Sequence, residues 1–528
     1  MRVDYDTALE LLDHPRHEDI VKAGLAIGVL DEDPAADEVL YRHQLIQEYF
    51  AARTLAREPR PELVAAPWRA ADIRPSVREL LDTLPPAETL SPLPQTGWEE
   101  TTVLAAVMTA DAAGFVRGVM TTNLALAGRC AVQTRVAERL PAALVGELRH
   151  ALVERSRDAG ADLRVRIAAG LALGGIGDPR FERREGPHGA HLVPAVIEIP
   201  GGAYPIGEDE PFFDPDTGEE DRTHMPRHSV AIAAFAIGQY PVTNAEYACF
   251  IAAGGYDDER WWDTEAGRAW RRGELANEGA KIGNRVWRKR FQEHPEQFEQ
   301  MVEEGRFQSE DAVERWRAWM LLDDAGFEAA LDARWQAKRE TEPAFWQDER
   351  LNAASQPVVG VSWYEARAYC NWLGAQTGLT CRLPTEVEWE VAARGAGGRL
   401  YAYGDAFDPT RGNTIETHVR RTTPVGVFVE GDTPEGVSDM AGNVGQWTSS
   451  ALGGDDENGP KYGYPYDPTD GREDIHAGPD RPRGLRGGSW LLNPILARAA
   501  VRNSNLPNIR GREVGFRCVL GSPISEGH

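Results

Sequence analysis

The texture of this 528-residue chain changes abruptly at residues 185–192, and that change limits the folds open to it. Before it, apolar positions recur at helical spacing in DTALELLDH, HQLIQEYFAARTLA and PAALVGELRHALVERS, with polar residues on the opposite face. Pro-rich breaks at 58–67 and 84–94 separate these helices. After the change come short β-branched runs, Val196-Ile197-Glu198-Ile199 and VAIAAFAIG, punctuated by Gly and Pro. The pattern predicts an α+β chain. An all-α helical domain spans 1–187, and a domain of short strands, few helices and long loops spans 188–522. Residues 257–350 read as a charged, Trp-rich, mostly helical insertion, and 450–482 as a long Gly/Asp/Pro-rich surface loop.

Charge narrows the function. A formal net charge of −26 gives no broad positive field, so non-specific binding to nucleic acid or anionic membrane is not expected. The Arg-rich stretch 481–517 is the one candidate for a local basic patch. No apolar run approaches the roughly 18 residues of a membrane span. The N-terminus MRVDYDTALELLDH starts an amphipathic helix and lacks the apolar core of a signal peptide. Cys130, Cys249, Cys370, Cys381 and Cys518 are scattered and never form CxxC, which predicts buried thiols in a reducing cytoplasm.

Local chemistry accounts for two motifs. In RLPTEVEWEVAARG, Pro384 sets the entry turn and Thr385 caps a helix whose first carboxylates lie near its positive end, with Trp389 on a packing face. In Arg486-Gly487-Gly488-Ser489-Trp490, the glycines admit positive φ or close backbone approach, and the Trp anchors a core.

With Ile199-Pro200-Gly201-Gly202, Tyr240-Pro241-Val242-Thr243-Asn244, Pro357-Val358-Val359-Gly360-Val361-Ser362-Trp363, Gly442-Asn443-Val444 and Val514-Gly515-Phe516-Arg517-Cys518, these blocks run in the order of the formylglycine-generating-enzyme (sulfatase-modifying factor) family. The resemblance covers nearly all of 188–522 and implies a C-type-lectin-like fold. The family's enzymes oxidise a substrate cysteine with two copper-binding cysteines just after the GGS-aromatic motif. Here that place reads Leu491-Leu492-Asn493-Pro494-Ile495-Leu496-Ala497-Arg498, which has no thiol to ligate copper. The resemblance therefore implies loss of that reaction, with no copper or iron and no catalytic residue. A metal-dependent oxidoreductase of the formylglycine-generating or sulfoxide-synthase type is the alternative. Sulfoxide synthases of the ergothioneine pathway carry an iron-binding histidine set on a helical bundle, and His14, His17, His43 and His150 do not show its HxxxHxE spacing. His224 and His228 stand four apart and read as loop or packing residues rather than ligands. In the resembling family a structural calcium is held around the GN(V/A)WEW motif. The matching positions are Asp439, the Gly442 and Val444 carbonyls and Gln446, with a weaker second site at Asn413 and Thr414.

The stretch from Trp490 to Arg517 also resembles the variable region of proteins diversified by retroelements, in which fixed and hypervariable positions alternate. The fixed frame would include Trp490, Pro494, Arg498, Arg502, Pro507 and Arg510, the arginines bonding loop carbonyls or acids. The displayed, ligand-binding positions within 490–514 would be Leu491, Leu492, Asn493, Ile495, Leu496, Val501, Asn503, Ser504, Asn505, Leu506, Asn508, Ile509, Gly511 and Arg512. In the helical half, HQLIQEYFAAR resembles the helix that follows the ATPase core of NACHT-type NTPases. Arg164–Gly170 with LALGGIGDPR resembles a single HEAT-type repeat. No GxxxxGK[ST] occurs, so a NACHT-type ATPase would lie elsewhere in a longer chain or be a partner. The expectation is a non-catalytic, calcium-stabilised binding protein of a bacterial defence system. Its variable face would grip an unknown protein or peptide ligand.

Overall fold

The computed structural model describes residues 2–523 apart from 13, 34–35, 37, 42, 215–217, 276–277, 308, 336–337, 454, 457–458 and 461. The chain forms two compact units, Met1–Pro67 with Leu93–Leu152, and Trp68–Pro92 with Val153–His528. The first unit is not all-α. It opens on an antiparallel sheet ordered Arg2–Asp4, Glu38–Tyr41, Leu30–Asp33. Gly28, at φ 71°, ends the preceding helix, and the runs that follow are only four residues long, too short for a helical period to show. The predicted helices follow. Gln44–Arg57 buries Ala52 and Leu55 but leaves Leu45 77% exposed, and Glu99–Met108 buries Thr101, Thr102, Ala105 and Ala106.

The helix Leu163–Ile176, assigned by sequence to the helical half, packs within the second unit. Its Leu163 and Ile167 share a cluster with Val427 and Phe428. A Cβ on Gly170 would stand 2.6 Å from Pro424, so only glycine allows that approach. The Gly170 carbonyl accepts from Ser355 Oγ at 2.8 Å, and Arg166 donates to the Val427 carbonyl at 2.6 Å. The hairpin Glu182–Gly186 and Gly189–Val193 then leads into two four-stranded sheets. One is antiparallel, ordered Leu379–Arg382, Val519–Pro523, Phe235–Gly238, Val196–Ile199. The other is ordered Asn503–Asn505, Arg483–Arg486, Gly445–Ala451, Val514–Phe516, its last pair parallel. The main core gathers Tyr247, Trp363, Tyr369, Trp372, Trp447 and Phe516. As predicted, 257–350 is mostly helical, with Glu278–Glu293, Pro295–Glu303, Glu310–Leu321 and Asp324–Arg334. Among the described residues no helix is long and apolar enough to cross a membrane.

Four helices among the described residues of this unit start with reciprocal caps: Ser76 with Glu79, Thr243 with Glu246, Ser362 with Glu365, and Thr385 with Glu388. The last is the one read from RLPTEVEWE. Thr385 Oγ1 accepts from Glu388 N at 3.1 Å, and the Glu388 carboxylate accepts from Thr385 N at 2.8 Å. Thr385→Ala is expected to destabilise this unit by about 1 kcal/mol, read from the shift of its chemical-denaturation midpoint.

Candidate functional site

The site is built outward from Arg486-Gly487-Gly488-Ser489-Trp490. Gly487 and Gly488 have φ of 92° and 65°. A Cβ on Gly487 would lie 2.9 Å from the Trp389 ring, and one on Gly488 2.9 Å from the Leu496 carbonyl. Both glycines are therefore required, for the two reasons the sequence suggests. Trp490 packs on Val359, Leu351 and Val444. Beyond it, Asn493 caps the short turn Pro494–Ala497, accepting from Ile495 N at 3.0 Å.

Against this turn lies a cleft of about 470 Å³. Leu491, Leu492, Leu496 and Val501 give it an apolar wall, faced by Trp287 and Met301 of the insertion. Its polar lining includes Asp214, Asp221, Glu304 and Glu513, with Arg290, Arg306 and Arg502. Burial raises the Glu513 carboxyl above the usual carboxylate range, and neighbouring Arg512 only partly opposes this. Asp221 goes the other way. Burial works against ionisation, but hydrogen bonds from His224 and Thr223 hold its carboxyl low.

The predicted display positions are mostly half-buried. Asn503 is exposed, whereas Leu491, Leu492, Ile495, Leu496, Ser504, Asn505, Leu506, Ile509, Gly511 and Arg512 are half-buried. Asn493, Val501 and Asn508 are buried. Asn493 is used as a helix cap, and Asn508 donates to the Leu275 carbonyl at 3.1 Å. Of these positions Leu491, Leu492, Leu496, Val501 and Asn503 line the cleft.

The arginines of 481–517 do not form a basic patch; their principal members are buried structural cations. Arg502 makes a two-point bond to Glu386 at 2.9 and 2.8 Å, and Arg472 meets the same carboxylate at 3.2 Å. Arg486 pairs with Glu390, which Arg394 approaches to 3.0 Å. Glu390 also accepts from Gly207 N and from the Tyr464 hydroxyl. Burial opposes its ionisation, but Arg486 and Arg394 outweigh that and hold the carboxyl below its usual range. Arg510 bonds the Gly360 carbonyl and Glu365, as expected of a frame residue. Sequence reading missed the role of Glu386 and Glu390. The available signal was Glu386 and Glu390 four apart on one face of a helix that also carries Val387, Trp389 and Val391, in a chain whose arginines cluster near its end.

The expected calcium ligands come together, and several of their groups are already engaged, the Gly442 carbonyl by Val444 N at 2.9 Å. Gln446 donates to the Asp439 carbonyl at 2.9 Å and accepts from Trp389 Nε1 at 2.8 Å and from Arg517 Nε at 2.5 Å. Arg517 also donates to the Asp439 carbonyl at 3.2 Å, so a guanidinium supplies the positive charge here. Burial pushes the Asp439 carboxyl up to about 6, opposed by the hydrogen bond from Gly426 N. Gly442 donates its N–H to the Gly487 carbonyl, and Val444 is fully buried. Asn413 Nδ2 donates to Asn443 Oδ1 at 3.2 Å, and Thr414 Oγ1 to Glu416 at 2.9 Å. His224 packs on Phe212, and His228 donates to the Pro226 carbonyl, both as packing or loop groups.

All five cysteines are buried and free. The fold nevertheless gathers three of them. The sulfurs of Cys370, Cys381 and Cys518 lie within 4.8 Å of one another, Cys370 and Cys518 at 3.6 Å. They come from a helix, a strand and the approach to another strand, which sequence spacing cannot bring together.

The family of the sulfatase-modifying factor enzyme 1-like domain matches residues 183–521. The formylglycine-generating enzyme of Streptomyces coelicolor is 30% identical over 351 residues, covering 63% of this chain and 90% of that protein. The inactive C-alpha-formylglycine-generating enzyme 2 of Bos taurus is 28% identical over 344 residues, 62% of this chain and 88% of that one. Hercynine oxygenase of Mycolicibacterium smegmatis is 27% identical over 328 residues, 59% of this chain and 58% of that one. The chain thus spans little more than half the length of that oxygenase. Relatives named as a formylglycine-generating enzyme and an oxygenase overturn the expectation of a non-catalytic variable protein, which rested on the missing thiols after Trp490. By the match over 183–521, the chain belongs to the family of the sulfatase-modifying factor enzyme 1-like domain.

Proposed function

We propose that this chain is a metal-dependent oxidoreductase of the kind named in its relatives, and that it holds its substrate in the cleft along 491–513. The observation that supports this reading is the cleft's position. It is walled by Leu491 and Leu492, directly after the GGS-aromatic motif where the resemblance places the oxidising centre of formylglycine-generating enzymes. The wall does not fit copper, because leucine offers no donor and the cleft lining contains neither Cys nor His. The same lining offers iron no histidine, and no step is routed through a metal in the cleft. What the chain's own residues supply is substrate handling. Leu491, Leu492, Leu496 and Val501 take the apolar part of the substrate and exclude water. Glu513 keeps a proton at higher pH than an ordinary carboxyl and can donate it to a bound group.

The test is oxygen uptake by the full chain supplied with iron(II) or copper(I), with two probes: hercynine plus cysteine, and a cysteine-containing peptide. Uptake with one probe at least tenfold above the metal-only blank is expected. Leu492→Arg, which fills the cleft, should remove about a hundredfold of that rate with the melting temperature unchanged. Blank-level uptake with both probes and both metals rejects the reading.

A further inference from the structure

We propose that Cys370, Cys381 and Cys518 form a closed binding site for one copper(I) ion, with three sulfur ligands. The geometry carries it. A metal at the centre of three thiolates, with bonds of about 2.3 Å, spaces its sulfurs about 4 Å apart. The sulfurs here lie within 4.8 Å of one another, with Cys370 and Cys518 at 3.6 Å, so a small adjustment completes the triangle. All three donors are soft, and among the described residues no His, Asp or Glu joins them as a fourth ligand. Soft thiolates in a three-coordinate set suit copper(I), whereas zinc closes its structural sites with four ligands.

The charge around the site is compatible with it. Arg517 is fully buried and donates to the Gln446 side chain and to the carbonyls of Gly238, Ser438 and Asp439. Among the described residues no carboxylate lies at ion-pair distance from it, although an unpaired buried cation is costly. The acidic groups its charge acts on are Asp439 and its chain neighbour Cys518. Thiolates at the cluster would add to the countercharge that Asp439 gives Arg517. Binding releases the thiol protons to solvent as copper(I) enters, and no electron is transferred.

The site would tie the helix Trp363–Thr377 to the strands Leu379–Arg382 and Val519–Pro523, deep in the main core. It is enclosed, with Cys370, Cys381 and Cys518 only 1%, 7% and 2% exposed, so it acts as a structural staple and not as a turnover centre. It therefore stands apart from the proposed activity, and its readout is metal content.

The test loads the reduced full chain with copper(I), as its acetonitrile complex, under argon and against a chelating competitor. One copper per chain is expected, with X-ray absorption showing three sulfur neighbours. Cys381→Ala should lower occupancy at least tenfold, whereas Cys249→Ala, a buried cysteine outside the cluster, should leave it at one. Because Cys381→Ala can also fail to fold, copper(I)–thiolate luminescence of the natural chain is titrated in parallel and should saturate at one equivalent. The proposal is overturned by no retained copper, by full copper in Cys381→Ala, by nitrogen or oxygen neighbours in the absorption spectrum, or by a Cys370–Cys518 disulfide that persists in the reduced protein.

Discussion

Replacing Glu386 with alanine is expected to lower the stability of the second unit by about 3–5 kcal/mol. Glu386 is fully buried and carries Arg502 through two bonds and Arg472 through a third. Arg472 keeps Asp470 as a partner at 2.8 Å, but Arg502 keeps no anion, being left with the carbonyls of Thr223 and Tyr462 and the Tyr464 ring at 4.2 Å. The substitution therefore leaves one guanidinium in the interior without its anion. The damage reaches the cleft, because Arg502 lines it and its neighbour Val501 forms part of the apolar wall. Urea denaturation followed by tryptophan fluorescence measures the loss. A triple variant, Glu386→Met with Arg472→Met and Arg502→Met, should recover most of it, since replacing a whole buried ion cluster with apolar groups is often near neutral. A loss below about 1 kcal/mol in the single variant would mean that water reaches Arg502.

The contrast between what the sequence revealed and what it hid follows from the range of the interactions. Thr385 and Glu388, three apart, settle a helix start by themselves, and Gly487-Gly488 states a backbone requirement that neighbouring residues cannot satisfy otherwise. The helical insertion was legible because amphipathic spacing is local. Glu386 was read as a favourable charge at a helix start, which it is, but its guanidinium partners lie 86 and 116 positions away. Cys370 and Cys518 are 148 apart and meet only because a helix and a sheet strand pack together. The Leu491–Arg512 stretch misled for a related reason. Alternating Leu, Ile, Asn and Ser suits an exposed face, yet it equally suits a wall whose asparagines cap turns and bond carbonyls, as Asn493 and Asn508 do. Which of these holds depends on the insertion helices facing the wall, and no residue within 491–512 records them.

Gly487→Ala is expected to be the most damaging single-methyl change near the cleft, at about 2–4 kcal/mol. Two terms add. The backbone at φ 92° lies outside the left-handed basin that L-residues tolerate, and the new Cβ would stand 2.9 Å from the Trp389 ring and 3.5 Å from the Met440 carbonyl. Trp389 cannot yield easily, because its Nε1 donates to Gln446 at 2.8 Å and the Arg486 guanidinium lies over its ring at 5.7 Å. The strain must then be relieved on the other side, where the Gly487 carbonyl accepts from Gly442 N at 2.6 Å and the chain continues into the Leu491–Leu492 wall. The variant should lose substrate binding along with stability, whereas Leu492→Arg loses binding alone. Gly397→Ala, with no atom within 4 Å of its added Cβ, is the control and should shift stability by at most about 1 kcal/mol in either direction. If Gly487→Ala melts within 2 °C of the natural chain by calorimetry, the close contact with Trp389 does not hold the floor of the cleft, and the glycine pair serves only the turn.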